Sequence, residues 1–236
     1  MPERAVLLAI EASQRLQSVA LGLPDGRVEQ EPVDAADRSR EDLLPAIERV
    51  MRRAGVGAEH LSAVLLNEGP GGFTGLRMAH AAAQAMALAR EVAVVQVPGA
   101  ACARQAAIDA GELGTGDACW VALASKGQET WIALADAAGA RAGRSIEVHA
   151  WDPSGIDALV SDEHLPDAWR AEATAQGLRM LPLRLAAASV LRAGRPMLES
   201  GRTVPPEALV PAYPREAEAV RLWRQRHAAR PDGTPR

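Results

Sequence analysis

Residues Leu61 to Arg90 constrain the fold of this chain more than any other stretch. An apolar run, Leu61-Ser62-Ala63-Val64-Leu65-Leu66, leads into Asn67-Glu68-Gly69-Pro70-Gly71-Gly72-Phe73-Thr74-Gly75-Leu76-Arg77, then into an alanine-rich segment ending near Arg90. That order predicts a strand, a glycine turn and a helix. The glycines at 69, 71, 72 and 75 permit positive φ and close chain approach, and the proline fixes its own φ. Thr74 is of the residue type that caps helix N-termini. Exposed N–H groups at such a terminus form an anion site, so the turn reads either as a phosphate loop or as a plain strand-to-helix connection. Spacing alone leaves both readings open.

The helix adds a second constraint. From Met78 to Ala89 it is nearly all alanine, methionine and leucine, broken only by His80 and Gln84, with Arg77 and Arg90 at its ends. A helix that is apolar almost all round is a covered one. One face suits the preceding strand. The other, lined with alanines, suits a second helix at very close range, in this chain or in a partner. Alanine's high helix propensity contributes to the same pattern.

Around this unit the chain predicts strands at Ala5–Ile10, Leu16–Leu21 and Arg27–Val33, a helix at Arg40–Ala54, and a strand at Val92–Val97. The resulting βββαβαβ order implies a mixed sheet with helices packed on it. A helix over Gly99–Ala110 opens a second half, followed by a hairpin (Ala118–Ala124 with Thr130–Ala135) and a strand at Arg144–His149. Helices are expected at Asp152–Val160 and Leu183–Glu199. This divides the chain into a first lobe, 1–98, a second lobe, 99–222, and a polar tail, 223–236, expected to be disordered.

At 236 residues there is ample length for a core, and 26 basic against 30 acidic residues give no strong field toward nucleic acid or membrane. The first apolar run is too short for a signal peptide, and nothing approaches a membrane span. Cys102 and Cys119 lack metal or redox spacing and read as buried thiols. A cytoplasmic protein is expected. The chemistry of common hydrolases and kinases is missing from the pattern. The only lysine, Lys126, stands outside any GxxxxGK[ST] loop, GxSxG does not occur, and no two histidines stand four apart as in HExxH or HxxxH. His80, in mid-helix, reads as a packing or interface residue. Glu11, Glu41 and Glu68 are the carboxylates nearest the glycine turn and are of a kind more often structural than catalytic.

Read together, these residues resemble the TsaB (YeaZ) family. Gly69 to Arg77 matches that family's Gly-Pro-Gly-Ser-Phe-Thr-Gly-Leu-Arg, with Gly72 for the serine. The opening hairpin, Ile10-Glu11-Ala12-Ser13 then Ser18-Val19-Ala20-Leu21, is similar to the family's Ile-Asp-Thr-Ser and Ser-Val-Ala-Leu, and Pro211-Ala212-Tyr213-Pro214-Arg215 echoes its C-terminal Pro-x-Tyr-x-Arg. Ser39-Arg40-Glu41 replaces its His-Ser-Glu, while Ala79, Ala82, Gln84 and Ala85 replace glycines, a threonine and a lysine on the helix.

The resemblance implies an α/β, actin-like (ASKHA, sugar kinase/Hsp70-type) fold of two lobes, with mixed sheets flanked by helices. It implies a non-catalytic scaffold subunit in forming N6-threonylcarbamoyladenosine at position 37 of ANN-decoding tRNAs. Implied partners are a TsaD-type catalytic subunit, a TsaE-type ATPase, tRNA through the complex, and a second copy when the chain is alone. The partner surface would comprise Thr74, Arg77, Met78, His80, Ala81, Ala82, Gln84, Ala85 and Leu88. Residual nucleotide contacts would fall to Glu11, Ser13, Gly71 and Gly72, but Glu11 adds a methylene where actin-like kinases carry aspartate beside a Mg²⁺-bound phosphate. No metal site or cofactor is expected in the isolated chain, with ATP and Mg²⁺ held mainly by partners. The alternatives are an ATP-dependent phosphotransferase or ATPase on the same fold, and the peptidase label once given to the superfamily.

Overall fold

The computed structural model describes residues 5–34, 42–124, 129–213 and 223. The first half holds strands β1 (Val6–Glu11), β2 (Gln17–Gly22) and β3 (Val28–Val33), helix α1 (Leu43–Ala54), strand β4 (Leu61–Asn67), helix α2 (Phe73–Arg90) and strand β5 (Ala93–Val97). They form one sheet in the order β3-β2-β1-β4-β5, antiparallel across β3-β2-β1 and parallel across β1-β4-β5. β1 is buried at all six positions because helices cover both faces, which is why it reads as an unbroken apolar run. Val6, Leu8 and Ile10 face α1 and α2, while Leu7 and Ala9 face the opposite side. β3, at the edge, accommodates Pro32.

The second half repeats the plan. After α3 (Gly99–Asp109) come β6 (Cys119–Ala124), β7 (Glu129–Asp136), β8 (Gly139–Ala140), β9 (Arg144–Glu147), β10 (Ala158–Ser161), α4 (Asp167–Ala175), β11 (Arg179–Pro182) and α5 (Ala187–Glu199). β8 and β9 both pair with one edge of β7, and from its other edge the order continues through β6 to β10 and β11, with β6, β10 and β11 parallel. The same succession of an antiparallel meander and two parallel strands thus occurs twice, and the chain has the two-lobed actin-like fold.

The two halves exchange helices. α3 follows the first sheet but packs on the second, against Val121, Ala133 and Val160. α5 follows the second sheet but packs on the first, where Val190 and Leu191 meet Leu7, Leu65 and Val97. Residues 203–213 then return along α2 as an extended strap, bonded to the first half through Val204 N–H to Val94 O and Ala212 N–H to Glu68 O. A division at residue 98 therefore assigns α5 and the strap to the second lobe by sequence although both lie on the first sheet. Of the tail 223–236, only Trp223 is among the described residues, and it is exposed.

Two expectations need correcting. Asp152–Val160 is not a helix: Pro153 and Gly155 (φ 76°) turn the chain, and Ala158–Ser161 enters the sheet between β6 and β11. The sequence reading also omits α4 and β11. The expected helix start at Arg40 lies outside the described residues, and α1 begins at Leu43.

α1 is fastened to β3 by ions. Asp42 stands at the N-cap but gives its carboxylate to Arg49, which holds it in bidentate fashion at 2.8 and 2.9 Å. Arg49 Nε also reaches Glu31 at 2.8 Å, and Arg53 reaches the other oxygen of Glu31 at 2.6 Å. The hydrogen bonds from Arg49 hold Asp42 down to about 2. The folded state then binds fewer protons than the unfolded chain between about pH 4 and pH 2, so this contribution is present above that window and is lost as pH falls through it. In urea titrations from pH 6 to pH 3, Asp42→Asn should lower the midpoint at pH 6. Its deficit against the parent should shrink as the pH falls.

Candidate functional site

β1 and β4 run parallel and end side by side, which brings together Glu11 and Asn67, 56 residues apart. Ser13, in the β1–β2 turn, completes the group. Its N–H and hydroxyl donate to Glu11 Oε1 at 2.7 and 2.6 Å. Asn67 Nδ2 donates to Glu11 Oε2 at 2.7 Å and to Ser13 Oγ at 3.1 Å, while Asn67 Oδ1 accepts from Gly69 N–H at 2.9 Å. All three side chains are buried, Glu11 completely. Burial pushes the Glu11 carboxyl above its usual range, against the downward pull of the Ser13 and Asn67 donors.

The glycine turn is laid over this group. Gly72 N–H donates to Ser13 O at 2.7 Å, and Gly99 N–H to Gly69 O at 3.1 Å. A side chain at Gly71 would drive into Ser13 O, and one at Gly75 into Ala12 O, whereas Gly72 has nothing nearer than Ser13 O at 3.7 Å. The serine of the family motif thus has room at 72. Gly69 takes φ 109°, and the Gly69–Pro70 peptide is cis. The N-cap is Gly72, not Thr74, which lies in the first turn of α2 and is exposed.

These residues do not suit a metal-bound phosphate. Both oxygens of Glu11 already accept protein donors away from solvent, the Ser13 side chain is enclosed with it, and the Gly72 N–H is committed to Ser13. Gly71 and Gly72 are exposed, but the acid and hydroxyl expected to work with them face inward. Among the described residues no three His, Cys, Asp or Glu gather as a metal-ligand set. Cys102 and Cys119 are both free and buried, and burial pushes their thiols up, Cys119 to about 11.

On α2, Thr74, Arg77, Ala81, Ala85 and Leu88 are exposed, while Met78, Ala82 and Gln84 are half-buried. Met78, Ala82 and Ala85 line an apolar groove of about 500 Å³ between α1 and α2, completed by Leu43, Leu44 and Met86. Gln84 is turned to the strap and donates to Pro206 O at 2.8 Å. His80 is buried rather than presented to a partner. Its Nε2 lies 3.0 Å from Gln96 Nε2, which also donates to Val210 O, so His80 accepts there and donates from Nδ1 to Leu76 O at 2.7 Å. Burial pushes its pKa down, toward the neutral form this joint requires.

Sequence reading missed Asn67, whose signal is an Asn-x-Gly at a strand end, the setting of an Asx turn. It also missed a surface cluster. The chain's one phenylalanine and one tyrosine, Phe73 and Tyr213, stack at 5.4 Å, and the Arg77 guanidinium lies 3.8 Å over the Phe73 ring.

Comparison with known proteins is informative at this point. The family model described as TsaD: tRNA N6-adenosine threonylcarbamoyltransferase matches residues 29–142. The tRNA threonylcarbamoyladenosine biosynthesis protein TsaB of Haemophilus influenzae is 29% identical over 107 residues, 45% of this chain and 45% of that protein. The chain is thus similar to TsaB in sequence and to YeaZ in fold. The matched stretch spans less than half of the H. influenzae TsaB. The YeaZ likeness in fold runs much further. YeaZ from Pseudomonas aeruginosa superposes with a TM-score of 0.69 at 21% identity, covering 89% of this chain and 99% of that one. A second P. aeruginosa structure, described as an uncharacterized protein with similarity to peptidase YEAZ, gives 0.70 at 22% identity and covers 100% of that chain. No helix among the described residues is long and apolar enough to cross a membrane.

Proposed function

We propose that this chain is a TsaB-type, non-catalytic scaffold subunit in the formation of N6-threonylcarbamoyladenosine at position 37 of ANN-decoding tRNAs, pairing with a TsaD-type catalytic subunit in the cytoplasm. The observation that carries the pairing is the exposed side of α2. Ala81 and Ala85 give a smooth small-residue track beside an apolar groove, and Leu44 and Leu88 stand 52% and 69% exposed along it. Small residues let a second helix approach closely, and large exposed apolar residues at a rim mark association surfaces. The self-satisfied Glu11–Ser13–Asn67 group supports a structural use of the hairpin that kinases use for phosphate. The likeness to TsaB and to the matching family supports the pathway. ATP and Mg²⁺ are then held mainly by the catalytic subunit and a TsaE-type ATPase, and tRNA is met through the complex.

The test is size-exclusion chromatography with light scattering, alone and with the TsaD-type subunit of the same organism. A homodimer that converts to a mixed complex is expected. Ala85→Arg should abolish both while the chain still folds, as far-UV circular dichroism checks, because residue 85 is exposed. Absence of a mixed complex, together with ATP binding by the chain alone, would favour a self-sufficient phosphotransferase instead.

A further inference from the structure

A cleft of about 380 Å³ lies between the two halves. The first half contributes Glu68 and Pro70, the second contributes Gly99 at the start of α3 with Trp131 and Arg141, and the strap contributes Tyr213. The backbone on either side is fixed. Glu68 N–H donates to Val97 O at 3.0 Å and its carbonyl accepts from Ala212 at 2.7 Å, while Arg141 N–H donates to Leu134 O at 2.8 Å.

The two charged side chains of this cleft stand out by what they lack. Half-buried carboxylates elsewhere are engaged: Glu31 and Asp42 with Arg49, and Glu112 with Arg184. Glu68 is half-buried too, yet its carboxyl has no hydrogen bond or ion pair among the described residues, and burial alone pushes it up. Arg141, which is exposed, has no side-chain partner among them, and both residues line one cleft. A carboxyl withdrawn from water without compensation is unfavourable. A ligand that brought it a cation would relieve that state, and clefts of this size between lobes are where small molecules bind.

We propose that this cleft binds a small zwitterion of about dipeptide size, its protonated amine at Glu68 and its carboxylate at Arg141. The ammonium replaces the missing cation beside Glu68. The planar guanidinium of Arg141 takes the carboxylate in a two-point contact. Trp131 and Tyr213 supply apolar surface between the charged ends.

Titration calorimetry on the full chain tests this with Ala-Ala, N-acetyl-Ala-Ala and Ala-Ala-amide as probes. Ala-Ala should bind, and blocking either end should weaken it by about tenfold or more. Glu68→Gln should weaken Ala-Ala by a similar factor while leaving N-acetyl-Ala-Ala unchanged. Arg141→Ala should weaken Ala-Ala while leaving Ala-Ala-amide unchanged. Neither side chain has a protein partner among the described residues, so neither variant should melt below the parent protein. Trp131→Phe, read by the ligand-induced change in indole fluorescence, places the binding in this cleft. No binding at millimolar probe, equal affinity for all three probes, or affinities unmoved by both substitutions would overturn the assignment. Every arm uses the chain without partners, so failure here leaves the subunit reading standing, and failure to pair leaves this one standing.

Discussion

Gly71→Ala should unfold or severely destabilise this protein, while Gly72→Ser, one residue further on, should leave it intact. The difference is one of space. A methyl at 71 points into the carbonyl oxygen and Cβ of Ser13, and a backbone carbonyl cannot step aside as a flexible side chain would. Ser13 is itself held by Glu11, Asn67 and Gly72. Overpacking typically costs about 1–3 kcal/mol, and a collision with pinned backbone belongs at or above the upper end of that range. For a chain of this size that corresponds to roughly 10 °C in Tm. Gly72, with only one atom at 3.7 Å and an extended φ of −61°, accepts a side chain freely. Thermal unfolding followed by circular dichroism decides it. If both variants melt with the parent, the turn is not pressed on the hairpin as described.

Asn67→Ala should be nearly as damaging, with a pH signature of its own. The substitution strips a donor from buried Glu11 and the acceptor from Gly69 N–H in one step. Leaving buried groups of this kind unpaired costs about 2–5 kcal/mol. Asn67 is also one of the groups that restrain the upward shift of Glu11, so removing it lets burial push that carboxyl higher still. A carboxyl raised in the folded state binds more protons there than in the unfolded chain. Stability is then greatest below the unfolded value near pH 4 and falls as pH rises toward the folded value. The deficit of Asn67→Ala should therefore be smaller at pH 4 than at pH 7, in urea titrations at the two values. A deficit independent of pH would mean that Asn67 acts through Gly69 alone.

The first sheet was legible because its signals are local. β1 and β4 are covered on both faces and carry unbroken apolar runs, β5 is interrupted only by Gln96, and the turn between β4 and α2 can hardly be read otherwise. The second sheet was less so. Ala158–Ser161 is a strand because β6 and β11 flank it, and the four residues Ala-Leu-Val-Ser carry no such instruction by themselves. His80 shows the same limit at the candidate site. Its place in the helical pattern allowed packing or a partner surface, and only the strap, arriving more than a hundred residues later to hold Gln96, decides for packing. Glu11 was singled out as a misfit for phosphate. The asparagine that occupies it comes from a different strand, and only the parallel register joins them.

The exchange of helices has a consequence for how the polypeptide can be made. Residues 1–98 emerge from the ribosome first, with every strand of their sheet already present. The side of that sheet bearing Leu7, Leu65, Val95 and Val97 waits for Val190 and Leu191, roughly a hundred residues further along. At ordinary elongation rates of about 5–20 residues per second, the nascent sheet spends several seconds with a greasy flank uncovered. Synthesis halted near codon 100 should thus yield a sticky fragment that recruits chaperones, and supplying the remaining half as a separate polypeptide should rescue it.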